Sequence, residues 1–151
     1  MPQSKEKPYL GNETFKLVPS TDYDYAISLA HDIKKYEVDP KDLAQYVTFL
    51  WEGYYNGVRV GVISCSRIDS IYMLDGYSEK AQIKKLKPPF SLAEKAVDLV
   101  STFMKKHADE LYASTSVNER GVNRLLKRKN FRLFNTVHTD LGDFNIYVKE
   151  I

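Results

Sequence analysis

The apolar positions along this chain change period several times, and each change marks an element. Thr14 to Val18, "TFKLV", alternates with Phe15 and Leu17 on one side and reads as a short strand. The following stretch, "STDYDYAISLAHDIKKYEV", sets Tyr23, Ala26, Ile27, Ala30 and Ile33 three and four residues apart, the spacing of one helix face. Ser20 or Thr21 caps that helix, and acids follow in its first turn, where the helix dipole favours them. "DPKDLAQYV" restarts a helix, with Asp39 as cap and Pro40 at the first helical position. The period then falls to two. In "VTFLWEGYYNGVRVGVISCSRI" two β-rich runs flank Asn56-Gly57, a pair that accepts the positive φ angles of a tight turn, so the runs form an antiparallel hairpin. "SIYMLDGY", Ser70 to Tyr77, adds a third strand, although Asp75-Gly76 within it reads more readily as a turn.

Downstream, "SEKAQIKKLKPPF" is a basic loop or short helix ended by Pro88-Pro89. "SLAEKAVDLVSTFMKKHADE" is a strong helix. Ser91 and Glu94 match a capping box, and Leu92, Ala96, Leu99, Val100, Phe103 and Met104 form its buried stripe. Lys105, Lys106 and His107 suit its negative C-terminal end. "ELYAST" is a strand. Arg120 to Lys129 is a helix with Val122, Leu125 and Leu126 inward. "FRLFNTVHT" and "DFNIYVKEI" are closing strands joined through Leu141-Gly142. The order β–α–α–β–β–β–α–β–α–β–β predicts one α/β domain over residues 13–151, behind a flexible polar arm, residues 1–12.

A chain of 151 residues can bury a core without disulfides or metals. Lys and Arg number 22 against 20 Asp and Glu, a formal charge of +2 that does not mark a nucleic-acid binder. The lone Cys65, in "GVISCS", excludes an intrachain disulfide and reads as a small buried hydrophobe. No apolar run approaches the roughly 20 residues of a membrane span. The start, "MPQSKEKPYLGNE", lacks the apolar core of a signal peptide, so a cytoplasmic protein is expected. His31, His107 and His138 lie far apart without metal-ligand spacing, and Ser114, Thr115 and Ser116 form no nucleophile elbow. Arg120, Arg124, Lys127, Arg128 and Lys129 cover the outward side of the short helix. They are a solvated face, a phosphate partner, or a surface for nucleic acid or an acidic protein. Stacking aromatics are missing from both basic segments, which weighs against single-strand binding.

The element order, and "NERGVNRLLKRKNF" with its Asn118, Leu125, Leu126 and Phe131, resembles the GNAT (GCN5-related N-acetyltransferase) superfamily. The resemblance implies a mixed sheet of about seven strands with helices on both faces. It also implies acetyl-CoA as cofactor and acyl donor, an amine acceptor and no metal. By its motif, Ser91, Leu92, Ala93, Asn118 and Arg124 are the cofactor-binding candidates. Asp75, the acid on the last meander strand, is the candidate base; Tyr112 and Tyr147 are further catalytic candidates. Three departures stand out. Asn118 lies one residue further from Phe131 than in the family pattern. Asn130 replaces the Gly before Phe131, and Asn also tolerates the left-handed conformation a helix end needs. "KLKPPFSLAE" replaces the family's glycine-rich Q/R-x-x-G-x-G/A. Glycines there let the backbone approach a pyrophosphate, and two prolines remove two backbone donors. The family's proton-donating Tyr falls at Leu126. A GNAT-like chain with such a loop also resembles non-catalytic bacteriophage virion and head-assembly proteins, whose partners are virion proteins and whose place is the host cytoplasm or the virion.

Overall fold

The computed structural model describes residues 9–34, 45–85 and 91–151. The start of the arm, the cap expected at Asp39 and the Pro88-Pro89 break lie outside these residues.

Asn56 and Gly57 take φ of 50° and 81°. β3 (Val47–Tyr55) therefore turns straight into β4 (Val58–Ile68), with Tyr55 opposite Val58. A second tight turn, with Asp69 at φ 55°, leads into β5 (Ile71–Ser78). Asp75 and Gly76 do not turn, contrary to expectation. They lie within β5 opposite Ser64 and Ile63, because an unbroken ladder with β4 from Ile71 to Ser78 overrides their local preference. β2 (Phe15–Pro19) pairs with β3, and β1 (Leu10–Gly11) pairs with β2. The end of the arm thus belongs to the sheet and gives an eighth strand. Asn12 makes the β1–β2 turn by accepting the amides of Thr14 and Phe15 on its side chain, at 2.9 and 3.0 Å. Beyond β5 come β6 (Glu110–Ser116), β7 (Arg132–Thr139) and β8 (Gly142–Glu150), and the sheet order is β1-β2-β3-β4-β5-β6-β8-β7.

Among the described residues, the helices that position the core are α1 (Tyr23–Lys34), α2 (Lys80–Ile83), α3 (Ser91–Met104) and α4 (Arg120–Arg128). On one face, Tyr25, Ala26 and Leu29 of α1 pack on Val47, Leu50 and Val62. On the other, Leu92, Ala96, Val97, Val100 and Met104 of α3 share the main core with Leu17, Ile63, Leu74, Leu111 and the α4 residues Leu125 and Leu126. Trp51 lies in that core, edge-on to Phe103 of α3 at 5.2 Å and stacked with Phe49 at 5.8 Å. Cys65 is fully buried there, and burial pushes its thiol up to about 12, which keeps it inert.

Two local expectations change. The α1 cap is Asp22, whose carboxylate accepts the Tyr25 amide at 3.1 Å, while Ser20 accepts the Asp22 amide. Glu94 turns towards α4 and accepts Arg128 Nε at 2.8 Å, and Lys129 reaches Asp98 on α3 at 2.9 Å. Part of the basic face of α4 is therefore a helix-to-helix contact.

Glu52 on β3 collects donors. Ser20 Oγ, Tyr54 Oη at 3.1 Å and Arg59 at 3.0 Å all reach its carboxylate, and the Arg59 guanidinium lies over the Tyr25 ring at 3.4 Å. Burial raises the Glu52 pKa, but the bonds from Ser20, Arg59 and Tyr54 outweigh it and hold the carboxyl below its usual value. A depressed folded pKa means that this stability is complete above the unfolded value, about 4.3, and is lost as pH falls through the folded one. Glu52→Gln is expected to lower stability at neutral pH and to flatten its decline in acid. Denaturant titration across pH 3–7 checks this, and an unaltered acid limb contradicts it.

Candidate active site

β5 and β6 run parallel but share only two register pairs, Met73–Tyr112 and Leu74–Ala113. Past that seam they part. β5 keeps its ladder with β4 through Ser78, and β6 keeps its ladder with β8 through Ser116. Each strand is held from its outer side, and a cleft of about 740 Å³ opens between them. Leu74, Ala113, Val97, Leu125 and Leu126 make an apolar floor. Lys80, Asn118, Glu119 and Leu141 stand in the lining, and Leu92 and Ala93 bring the first turn of α3 to it. An unpaired strand edge offers backbone N–H and C=O groups to whatever enters.

Asp75 lines the cleft on the β5 side. Its Oδ2 accepts Tyr77 Oη at 2.8 Å, and its Oδ1 accepts the Gly76 amide at 2.9 Å. Tyr77 in turn packs against the α1 cluster. The carboxylate is thus fixed towards the α1 face, opposite the α3 side from which Leu92 and Val97 project.

Of the residues singled out from sequence, Asp75, Leu92, Ala93 and Asn118 line one cleft. Ser91 begins α3, just outside the lining, and Arg124 is exposed on α4 and outside it too. Tyr112 points away from the floor and meets Phe134 edge-on at 5.9 Å. Tyr147 is buried in the main core, burial raises its phenol, and its Oη donates to Asn123 at 2.6 Å. Neither tyrosine lines the cleft. Among the described residues no group of three or more His, Cys, Asp or Glu is placed to hold a metal ion.

Sequence reasoning missed Asn123, which is buried in α4. Its Nδ2 donates to the carbonyls of Ser116 at 3.0 Å and Glu119 at 2.7 Å. Its Oδ1 accepts Asn145 Nδ2 at 2.9 Å and Tyr147 Oη at 2.6 Å. Thr136 on β7 donates to Asn145 Oδ1 at 2.8 Å and extends the network across β8. One side chain therefore ties the end of β6, the β6–α4 turn and β8 together, and so fixes the cleft wall that carries Asn118 and Glu119. The signal was an Asn between Val122 and Leu125 inside an amphipathic helix, a place where its amide must find partners.

No protein-family model matches the chain, and no curated protein matches it by sequence. Its fold is that of the GNAT acetyltransferases. The ribosomal-protein-S5-alanine acetyltransferase of Vibrio fischeri superposes with a TM-score of 0.71 at 11% identity, over 94% of this chain and 96% of that one. A GNAT-family acetyltransferase of Bacillus anthracis gives 0.70 at 11% identity over 94% and 98%. RimL, a ribosomal L7/L12 alpha-N-protein acetyltransferase solved in complex with coenzyme A, gives 0.69 at 12% identity over 95% and 98%.

Truncating Asn123 leaves the buried Tyr147 hydroxyl without its acceptor, while the Ser116 carbonyl keeps the Glu119 amide at 3.0 Å. Asn123→Ala is expected to cost about 1–3 kcal/mol, the penalty of one stranded buried polar group. Chemical denaturation measures it, and a loss no larger than that of an exposed substitution such as Arg124→Ala contradicts the role.

Proposed function

We propose that this chain binds acyl-CoA in the β5–β6 cleft and acts as an N-acetyltransferase with a weakened grip on the pyrophosphate. The observation that carries this reading is the fork past Leu74 and Ala113, where a narrow apolar slot is flanked by unpaired strand edge. Such a slot suits a thin chain carrying amides. The β5 edge from Asp75 to Ser78 would hold those amides, the Leu74–Ala113–Val97 floor the apolar parts, and Lys80 with the first-turn amides of α3 at Leu92 and Ala93 the diphosphate. Acyl-CoA supplies an acyl group activated as a thioester. An amine arriving from the α1 face meets Asp75, whose carboxylate takes the proton that the amine sheds as it forms its new bond. Tyr77 is the positioning residue that keeps the carboxylate turned to that face.

Two features slow this chemistry. Leu126 in the floor has no proton to give a departing thiolate, so that proton comes from solvent. The segment before α3 carries Pro88 and Pro89 and no glycine, which removes two donors and the close backbone approach a diphosphate needs. Lys80, Lys84 and Lys85 attract phosphates without orienting the thioester, and orientation provides much of the rate. The same two features favour a second reading: a GNAT-fold protein of bacteriophage virion or head assembly that has lost the chemistry and works through protein contacts.

Calorimetric titration with acetyl-CoA separates the two. Saturable but weak binding is expected, reduced by Lys80→Ala and left intact by Asp75→Asn. Asp75→Asn is expected to lower the acetylation rate of a reactive amine by about 100-fold, the usual worth of a positioned base. No heat up to millimolar acetyl-CoA overturns the enzyme reading and makes capture of a protein partner the next experiment.

A further inference from the structure

The start of α2, the first turn of α3 and the β6–α4 turn meet at one mouth of the cleft, where Lys80, Leu92, Ala93, Asn118 and Glu119 line it. Bases ring this mouth. Lys80, Lys84 and Lys85 stand exposed on and just after α2. Arg120, Arg124 and Lys127 follow at steps of four and three residues along α4, so they form one exposed stripe. Among the described residues none of these bases has an ion-pair partner. The acids of α3 beside them are taken: Glu94 by Arg128 at 2.8 Å and Asp98 by Lys129 at 2.9 Å. Glu79 faces Tyr25 on the α1 side, and Glu119 is the acid left beside the stripe. The whole chain carries a formal charge of only +2, so the basic rim is a strong local excess.

The rim and the slot suit different parts of one donor. The fork past Leu74 and Ala113 fits a thin arm carrying amides, whereas the segment before α3, with two prolines and no glycine, lacks the close approach a diphosphate needs. A pantetheine arm comes in two forms. In coenzyme A it ends in a diphosphate and a nucleotide. In an acyl carrier protein it hangs by a single phosphodiester from a serine on a small, strongly acidic protein. The second form asks for one phosphate to be held, which Lys80 and the first turn of α3 can do, and for a basic surface on both sides of the mouth, which α2 and α4 supply. Neither α2 nor α4 carries an aromatic residue on which a base could stack, which disfavours nucleic acid on this rim. We propose that the acyl donor is the acylated pantetheine arm of an acidic carrier protein, docked on the rim of α2 and α4. This rests on the reading that the β5–β6 cleft holds a pantetheine arm. The amine nitrogen attacks the thioester carbonyl carbon, the new N–C bond forms and the C–S bond breaks. The amine's proton goes to Asp75 and on to solvent, and the thiolate left on the carrier's arm takes a proton from solvent.

Calorimetry of the full chain tests this with three ligands: acetyl-CoA, an acyl carrier protein bearing an acetylated arm, and the same carrier without its arm. The acetylated carrier is expected to bind about tenfold or more tightly than acetyl-CoA and to lose most of that affinity without the arm. The double variant Arg120→Glu with Lys127→Glu, its folding verified by circular dichroism, is expected to weaken carrier binding by about tenfold and acetyl-CoA binding by less than about threefold. Acetyl-CoA binding as tight as that of the acetylated carrier overturns the inference and leaves the acyl-CoA reading standing. No heat with either donor overturns both. Carrier binding that ignores the two charge reversals, or that is weaker than binding of duplex DNA to the same rim, also overturns the inference.

Discussion

The two-pair seam between β5 and β6 is the constraint on which the rest of the molecule depends. A parallel pair cannot be closed by a hairpin, so the chain must leave the sheet after β5, cross one face as a helix and return. α3 is that crossover. Its apolar stripe has to reach across the gap, and Val97 and Ala96 do so from above while Leu74 and Ala113 meet them from the sheet. Had the pairing run on to Ser78 and Ser116, there would be a flat sheet under α3 and no cleft. The antiparallel partners on the outside, β4 and β8, are what keep the two strands apart.

A gap in a sheet is costly unless its walls are rigid. On the β6 side rigidity comes from polar bonds: Asn123 satisfies carbonyls of the β6–α4 turn and locks to β8, and ion pairs from Arg128 and Lys129 clamp α4 to α3. On the β5 side it comes from the long ladder with β4 and from Tyr77 seated on α1. The exposed ion pairs add little by themselves; the buried amide is the stronger fixture, since losing Asn123 strands the Tyr147 hydroxyl in the core.

The strands and helices were legible because each has a strong local period. Asn56-Gly57 sets the meander, and the stripe of Leu92, Ala96, Val100 and Met104 sets α3. Asp75-Gly76 misled because turn chemistry is read locally, whereas its place is fixed by pairing with Ser64 and Ile63 on another strand. The same limit hid β1, which is too short to show a period and exists only through its contact with β2. At the candidate site, the family resemblance led to Leu92, Ala93 and Asn118, while Tyr147, whose place on a strand favoured packing over a catalytic role, is a buried bond donor in the structure. Asn123 was overlooked because a polar residue on an apolar face has meaning only once its four partners, from three elements, are in place.

The single tryptophan has a bearing on how the molecule is observed. Trp51 is 3% exposed and lies edge-on to Phe103, in the layer that α3 closes over the sheet. Its indole emission is therefore an optical gauge of whether that crossover helix is seated. Loosening of α3, whether by denaturant or by a change at the cleft it roofs, reaches the indole as water at the ring and a red shift.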